Sequence, residues 1–558
     1  MGKLSIPSAL FGWASVRYLE IDNSSFISND ASLAFGSLGH FSNGPVMDII
    51  KLADKTTLAG LYGEPFKENS SEWWNIARAF QYKSGIIGPS ARICRVVGDG
   101  SFNQALAVTN TKVVDETELT TMYIGNADDA VQPTVVFDEA DDASKTRIKF
   151  FSKYPTAVPY KIALCNVADF ATAEIFDGVK FSAYLDPIEG TQIAYAVVLD
   201  SEVIEIKVVD LTEGNVDDEN INTFIETKIN ETSEYLLAYL DESVAELPVS
   251  FEATAMLKGA VVQPVKADYI VGLELFENWK TVNVNYMIPH STHTVKETNT
   301  LINNRLDAQM IWTPPVSVLV GKNAVTALAD LITYATTTEN FTSTYAECFG
   351  NAGFFYDEYS KKNIWGELAG DLIGLRILKN LTGNPWEASA GLNNGQFKNI
   401  IKLAINFKDS AQIELQRNKI NSIVNETGKG IFSWGIQNYT SKKSALIDST
   451  TRGLLVTIWR AMRESLQWDL FEINDETTQS SLRIKTNIYM KNIESNRGVS
   501  NVNGLPAFKV ICDSTNNTPA IVQAGQLVLQ LKLVPSRIAK EIILVADVNS
   551  TGATLTES

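Results

Sequence analysis

The stretch Ala507–Val548 limits what this chain can fold into more than any other. It reads AFKVICD, then STNNTP, then QLVLQLKLVP, then EIILVADV. These are three apolar runs of strand length separated by turn residues. Leu527, Leu529, Leu531 and Leu533 alternate with Val528, Gln530, Lys532 and Val534, which predicts one strand with a wholly apolar face. Asn516-Asn517-Thr518-Pro519 predicts a loop, because Asn tolerates turn geometry and Pro cannot join a ladder. Pro535 marks a break before the third run, Glu541–Val548. A strand so late in the chain has little left to cover its outer edge. Ile542, Ile543, Leu544 and Val545 must therefore pair inside their own subunit or on another copy.

The residues before this sheet read as helices. Arg452–Phe471 places Leu455, Ile458, Trp459, Met462 and Leu466 on one stripe at helical spacing. Asn474-Asp475-Glu476 supplies an N-cap and first-turn acids for a second helix, which Gly498 closes after Asn496-Arg497. Leu482, Ile484, Ile488, Tyr489 and Ile493 form its apolar face. Two helices and a sheet make a compact α+β unit.

At 558 residues the chain predicts two to four domains. No stretch approaches the ~18 consecutive apolar residues of a membrane span. The opening MGKLSIPSALFGWASVRY has no long apolar core, so no signal peptide is read there. Cys94, Cys165, Cys348 and Cys512 are scattered and none forms a CxxC pair, which argues against zinc and redox motifs and for a reduced, cytosolic setting. The net charge of −18 is uneven: residues 110–260 hold 29 acidic residues against 10 basic ones, and residues 441–558 hold 11 against 13. This reads first as a solvated acidic surface and, as a sharper alternative, as an acidic segment facing water with a near-neutral C-terminal unit facing partners. A nucleic-acid grip, which needs clustered Lys and Arg, does not follow.

Taken in order, Ser15–Ile21 (SVRYLEI) predicts an isolated strand, with Val16 and Tyr18 alternating against Leu19 and Ile21. Ser70 or Ser71 caps a helix in which Trp73, Ile76, Ala77 and Phe80 share a face. Trp73-Trp74 thus reads as core rather than as a ligand platform. Arg92–Val97 reads as a buried strand. Leu106–Ser144 is weakly patterned and acidic, but lacks the spacing and glycine of a calcium loop. Ile193–Asp210 reads as a hairpin with Asp200-Ser201 at its tip, and Ile221–Asn230 as a short helix. Thr281–Pro289 and Val295–Pro315 read as strand, helix, strand, a crossover that implies a parallel sheet. In it Val282, Val284 and Tyr286 share a strand face, and Leu301, Ile302 and Leu306 lie on the helix. Neither a dinucleotide fingerprint nor a P-loop accompanies it. His290 and His293 form an HxxH pair with no cysteine and only Glu297 nearby, and read as loop histidines rather than zinc ligands. No catalytic or cofactor-binding set emerges: there is no G-x-S-x-G and no Cys-His signature.

The wording LFEINDETTQSSLR, then ESNRG, then FKVICDSTNNTPAIVQAGQLVLQLKLVPSRIAKEIILVADVNSTGA resembles the C-terminal domain of contractile phage tail sheath proteins of the T4-like pattern. The block from LAFGSLGHFSNGPVMDII to ARICRVVG, KFFSKYPTAVPYKIAL, and WGELAGDLIGLRILKNLTGNPWEASAGLNNG followed by GKGIFSWGIQNYT resemble other parts of the same family. The resemblance covers most of residues 31–105 and 149–558. VSNVNGLPA, before Phe508, is longer than the family's usual link, and NIWGELAG stands where the family carries a Pro-Pro-Ser-like approach.

The resemblance implies an α/β and α+β multidomain sheath fold. Its C-terminal α+β polymerisation domain is completed by strands from neighbouring subunits. The expected parts are an N-terminal arm (1–22), a middle α/β domain (23–105 and 149–439), a small acidic outer insertion (106–148), and an inner polymerisation domain (440–558) ending in an arm (538–558). Strand exchange would involve Val16, Tyr18, Leu19, Ile21, Leu527, Leu529, Leu531, Ile542, Ile543, Leu544 and Val545. Arg483, Lys485, Lys491 and Arg497, basic residues on the second helix of an acidic protein, are candidates to face a tail tube. The implied function is a non-enzymatic structural subunit, needing no cofactor. It would polymerise as stacked hexameric rings around the tube and contract to drive it through the host envelope. Its partners would be itself, the tube protein, and baseplate and terminator proteins, with no nucleic acid and no membrane insertion. Assembly in the host cytoplasm and a place in the virion tail follow. The alternatives are a sheath of a bacteriocin or secretion-type machine, and an α/β enzyme.

Overall fold

The computed structural model describes residues 33–109, 113, 147–156, 158–217, 221–240, 247–256, 259–502 and 504–540. The Ser15–Ile21 strand, most of the 106–148 insertion and the Glu541–Val548 strand lie outside them. The chain divides into two compact units between Thr457 and Ile458.

The first unit is built on an eight-stranded sheet. Its order is Ile49–Leu52, Ser90–Arg95, Ala34–Gly39, Tyr286–Ile288, Gln309–Trp312, Ala346–Phe349, Ile420–Glu426 and Gly430–Trp434. The six inner strands pair in parallel and the two outermost pair antiparallel. Four of the inner strands are buried along their whole length, as expected of parallel strands covered on both faces. Phe35, Ile93, Tyr286 and Ile311 face one core, with Trp73 and Ile76 of the Ser70–Ala79 helix and Leu372 and Ile373 of the Ala369–Thr382 helix. Leu38, Cys94, Met287 and Met310 face the other, with residues of the Lys266–Glu274, Val295–Arg305 and Ala324–Thr333 helices.

The strand–helix–strand reading at 281–315 holds: Tyr286 pairs with Gln309 and Met287 with Met310, in parallel. Two details differ. The first strand is only Tyr286–Ile288, although Val282 and Val284 are buried beside it. Leu306 does not lie on the helical face; it ends the helix with φ 65° and is 38% exposed. Trp73 and Trp74 are core, 0% and 4% exposed. Neither Ser70 nor Ser71 caps their helix. Both sit inside its first turn, behind Asn69, whose side chain is turned back to accept from the Phe66 N–H at 2.7 Å.

Between Arg95 and Lys266 stands a β-rich insertion with its own core. A four-stranded sheet runs in the order Glu202–Asp210, Gln192–Leu199, Lys161–Asn166, Phe251–Ala255. A three-stranded sheet runs Leu236–Leu240, Arg147–Ser152, Ala105–Thr109. Leu106, Phe150, Ile162 and Tyr195 meet in one buried cluster between them. The hairpin tip falls at Asp200-Ser201, with φ 47° and 64°, the paired positive values of a two-residue hairpin turn. The short helix is Ile225–Thr232, a few residues later than the sequence pattern placed it.

Candidate functional site

The second unit carries the segment that organises the sequence. Into it leads the helix Ser449–Leu466, followed by a short turn of 3-10 helix at Gln467–Asp469. Of the predicted stripe, Ile458 and Met462 are buried, but Trp459 is 45% exposed; Leu454, Val456 and Ala461 are buried instead. The next helix is Glu476–Ser495. Asp475 caps it, its Oδ1 accepting the Thr478 N–H at 2.8 Å, and those hydrogen bonds hold its carboxyl below the usual range. The helix closes one residue earlier than glycine geometry suggested. Arg497 takes the left-handed conformation, φ 61°, and the Gly498 N–H reaches back to the Ile493 carbonyl at 2.9 Å, the bonding of a Schellman closure.

The buried face of this helix is Leu482, Thr486, Tyr489, Met490 and Ile493. Ile484 and Ile488, expected there, are 57% and 64% exposed. The sequence offers more apolar positions than one helix face accommodates, and Thr486 takes an inner place by bonding its hydroxyl to the Leu482 carbonyl at 2.8 Å. The connection before it is equally apolar and equally uncovered: Trp468, Leu470, Phe471 and Ile473 are each at least 62% exposed. Phe471 holds φ 70°, a left-handed conformation that bulky residues rarely adopt.

The strands Phe508–Ile511 and Gln530–Leu533 pair antiparallel, Phe508 opposite Leu533 and Val510 opposite Leu531. The leucine strand is shorter than its alternation predicts, because two asparagine side chains replace part of the ladder. Asn517 Oδ1 accepts the Val528 N–H at 2.6 Å, and the Asn516 and Asn517 amides donate to the Val528 carbonyl at 2.8 and 3.0 Å. Leu527 and Leu529 are held alongside this loop, outside the ladder. The stretch after the asparagines is not all loop: Pro519 opens a short helix, Pro519–Gln523. The facial alternation survives. Leu527, Leu529, Leu531 and Leu533 are half-buried, while Val528, Gln530 and Lys532 are exposed. At Val534 the chain bonds on two sides: its N–H donates to the Ala507 carbonyl at 2.9 Å and its carbonyl accepts the Ser500 N–H at 3.1 Å, after which the Ser536 N–H bonds the Gly498 carbonyl at 3.1 Å. The long link before Phe508 thus serves as the next edge, with Val499 bridging Pro535.

The four basic candidates separate into two kinds. Arg483 pairs with Asp513 at 3.4 Å and Lys485 with Asp469 at 3.0 Å. Lys491 and Arg497 are exposed and form no ion pair among the described residues. Lys491 follows Ile484 and Ile488 along one exposed stripe of the helix. The strand-exchange candidates Val16, Tyr18, Leu19, Ile21, Ile542, Ile543, Leu544 and Val545 lie outside the described residues.

The four cysteines are buried and unpaired. Among the described residues, no group of three or more His, Cys, Asp or Glu is arranged to hold a metal, and no helix is long and apolar enough to cross a membrane. His290 and His293 turn inward against Glu72 and Tyr269.

No family model matches the chain. It is 27% identical over 439 residues to the tail sheath protein of Vibrio phage KVP40, covering 71% of this chain and 64% of that protein. It is likewise 27% identical over 391 residues to the tail sheath protein of Enterobacteria phage T4, covering 66% and 58%. The chain is similar in sequence to phage tail sheath proteins. It spans less than two thirds of the length of these relatives. In fold, it is similar to the sheath tail protein of Desulfitobacterium hafniense, with a TM-score of 0.53 at 9% identity over 89% of this chain and 93% of that one. The sheath tail protein of Listeria innocua gives the same score over 90% and 95%. These likenesses establish the fold, that of sheath tail proteins, in a mixed α/β multidomain chain.

Proposed function

We propose that this chain is the structural subunit of a contractile phage tail sheath. It polymerises as stacked rings around a tail tube and contracts to drive that tube through the host envelope. The observation that carries the reading is the sequence likeness to two phage tail sheath proteins joined to the open state of the second unit. That unit holds a two-stranded sheet whose leucine face is half-covered, and a helix with Ile484 and Ile488 on its outer side. Among the described residues that ribbon gains only a single-bridge edge from the link at Val499, a small sheet for an apolar face, and exposed apolar surface of this extent marks a partner surface. Strands from neighbouring copies, Glu541–Val548 and Ser15–Ile21, would complete the sheet by main-chain hydrogen bonding. Lys491 and Arg497, which form no ion pair among the described residues, are the better tube-facing pair. Each exposed ion pair contributes only ~0–1 kcal/mol, so a ring must sum many.

The test is truncation after Arg537. The shortened chain keeps both helices and the Gln530–Leu533 strand, so it is expected to stay folded and soluble. It would lose the inter-subunit ladder, at ~0.5–1.5 kcal/mol per hydrogen bond. Full-length protein should form hollow tubes by negative-stain microscopy and the truncated protein none. Tubes from the truncated chain would remove the arm exchange. A full-length chain that stays monomeric, alone and with tube protein, would overturn the sheath reading. In the same assay, Lys491→Glu should weaken co-assembly with the tube as salt is raised.

A further inference from the structure

The chain has three histidines, His40, His290 and His293, and the first unit brings all three around one carboxylate. Glu72 lies in the first turn of the Ser70–Ala79 helix. Its Oε2 accepts the His40 backbone N–H at 2.7 Å, and its Oε1 meets His290 Nε2 at 2.7 Å and the Tyr269 hydroxyl at 3.1 Å. The His290 and His293 rings lie 4.6 Å apart, and His293 stacks on Tyr269 at 5.3 Å. Beside His290, the Ser291 hydroxyl donates to Glu367 at 2.6 Å. The other Glu367 oxygen accepts from Asn75 at 3.2 Å, and Asn75 in turn holds the Gly370 N–H at 2.7 Å. Segments more than 300 residues apart in sequence are thus tied together by two inward-facing carboxylates and the histidines around them.

We propose that this cluster is a pH-operated clasp, which fastens the His290–Thr294 turn to the Ser70–Ala79 helix and loosens it as the pH rises above neutrality.

Burial pushes Glu367 up to about 7, against the opposing Ser291 hydrogen bond and the charge of His290. Its proton is held in the closed state and released on opening, so its stabilisation is lost as pH rises from 4.5 toward 7. Burial alone would lower His290, but the hydrogen bond and charge of Glu72, with the charge of Glu367, raise it. Its stabilisation is lost from 6.5 upward. His40 and His293 act oppositely. Burial lowers both, helped by Arg95 at His40 and by His290 and Lys266 at His293, while Glu72 opposes at both and Glu68 also at His40. Their penalty vanishes as pH rises to 6.5. From the adjoining helical turn, Glu339 is raised by burial, with the same sign as Glu367. Its neighbour Tyr334 donates to the Ser291 carbonyl at 2.6 Å, and Lys266 is engaged by Glu297 at 2.7 Å. Tyr334 and Tyr269 are pushed up by burial and stay protonated. Contributions oppose one another below pH 6.5; from there to about 7 those of Glu367 and His290 both weaken the clasp, and above about 7 the further loss is that of His290.

Hydrogen exchange of the full chain from pH 6.5 to 8.5, normalised to intrinsic rates, tests this. The amides to follow are His40, which donates to Glu72, and Thr294, which donates to the His290 carbonyl at 3.1 Å. Their protection should fall with pH, by at most about tenfold per pH unit for each proton released, while amides of the Ile420–Glu426 strand hold constant. His290→Gln should flatten the fall. Glu367→Gln, which keeps an acceptor for Ser291, should raise protection at pH 8 and serves if the first variant does not fold. Protection that tracks the control strand across the range, or a fall unchanged in whichever variant folds, would overturn the proposal.

Discussion

At the residue scale, the first unit relies on buried charges placed so that each finds its partners. Arg78 and Asp371 meet side by side at 2.7 and 2.9 Å, with side-chain exposures of 2% and 0%. Tyr82 donates to the same carboxylate at 2.8 Å, and Arg78 also reaches the Lys398 carbonyl at 2.9 Å. Removing one partner of such a pair strands the other in a low-dielectric interior. Asp371→Ala is therefore expected to lower stability by ~3–5 kcal/mol, read as a shifted urea midpoint; a loss below about 1 kcal/mol would contradict this account. Arg95 is handled differently. It is fully buried and donates to the carbonyls of Phe41, Gly44 and Pro155 at 2.9, 2.7 and 2.6 Å, and burial lowers it to about 9. It thereby ties the β-rich insertion to the main sheet. None of these pairings was legible in the sequence, because the partners are far apart in it and nothing local distinguishes Arg78 or Arg95 from a surface arginine.

At the scale of elements, the close approach of the Ser70–Ala79 and Ala369–Thr382 helices depends on two glycines one turn apart. A Cβ at Gly370 would sit 1.6 Å from the Asn75 carbonyl oxygen, and one at Gly374 would sit 2.4 Å from the Tyr82 ring and 2.8 Å from the Ala79 carbonyl oxygen. Backbone cannot move aside as a flexible side chain can, so Gly370→Ala should cost at least the ~1–3 kcal/mol typical of overpacking. Thermal unfolding would register it, and an unchanged midpoint would mean that the helices separate freely. The second unit shows the limit of reading periodicity. Spacing located its main helix and the Asp475 cap, but not which apolar positions turn inward. Ile484 and Ile488 point out because burial is settled by the neighbouring element. The leucine strand is short for a similar reason, since Asn516 and Asn517 occupy Val528's backbone groups.

At the scale of the whole molecule, Thr109 pairs directly with Arg147 across an antiparallel ladder. The acidic segment between them thus leaves and returns at adjacent points of one hairpin. Replacing residues 110–146 with an Asn-Gly turn, which suits a two-residue hairpin, should leave both the fold and tube formation intact. Loss of soluble protein would show that the segment belongs to the core of the insertion; loss of tubes alone would place it at a subunit contact.

The sequence by itself determined the mixed α/β class, the parallel crossover at Tyr286–Trp312, the Asp200-Ser201 hairpin, the leucine alternation before Pro535 and the likeness to tail sheaths. Each is written in residues close together in the chain: a period of two, a cap, a turn, an ordered run of wording. Only the tertiary structure decided the extent of the insertion, whose strands draw on residues from 105 to 255, beyond the acidic stretch that composition picks out. The same holds for the gathering of three histidines around Glu72 and for the outward face of the Glu476–Ser495 helix. These depend on contacts between residues tens to hundreds of positions apart, where burial, not local propensity, selects the side that is covered.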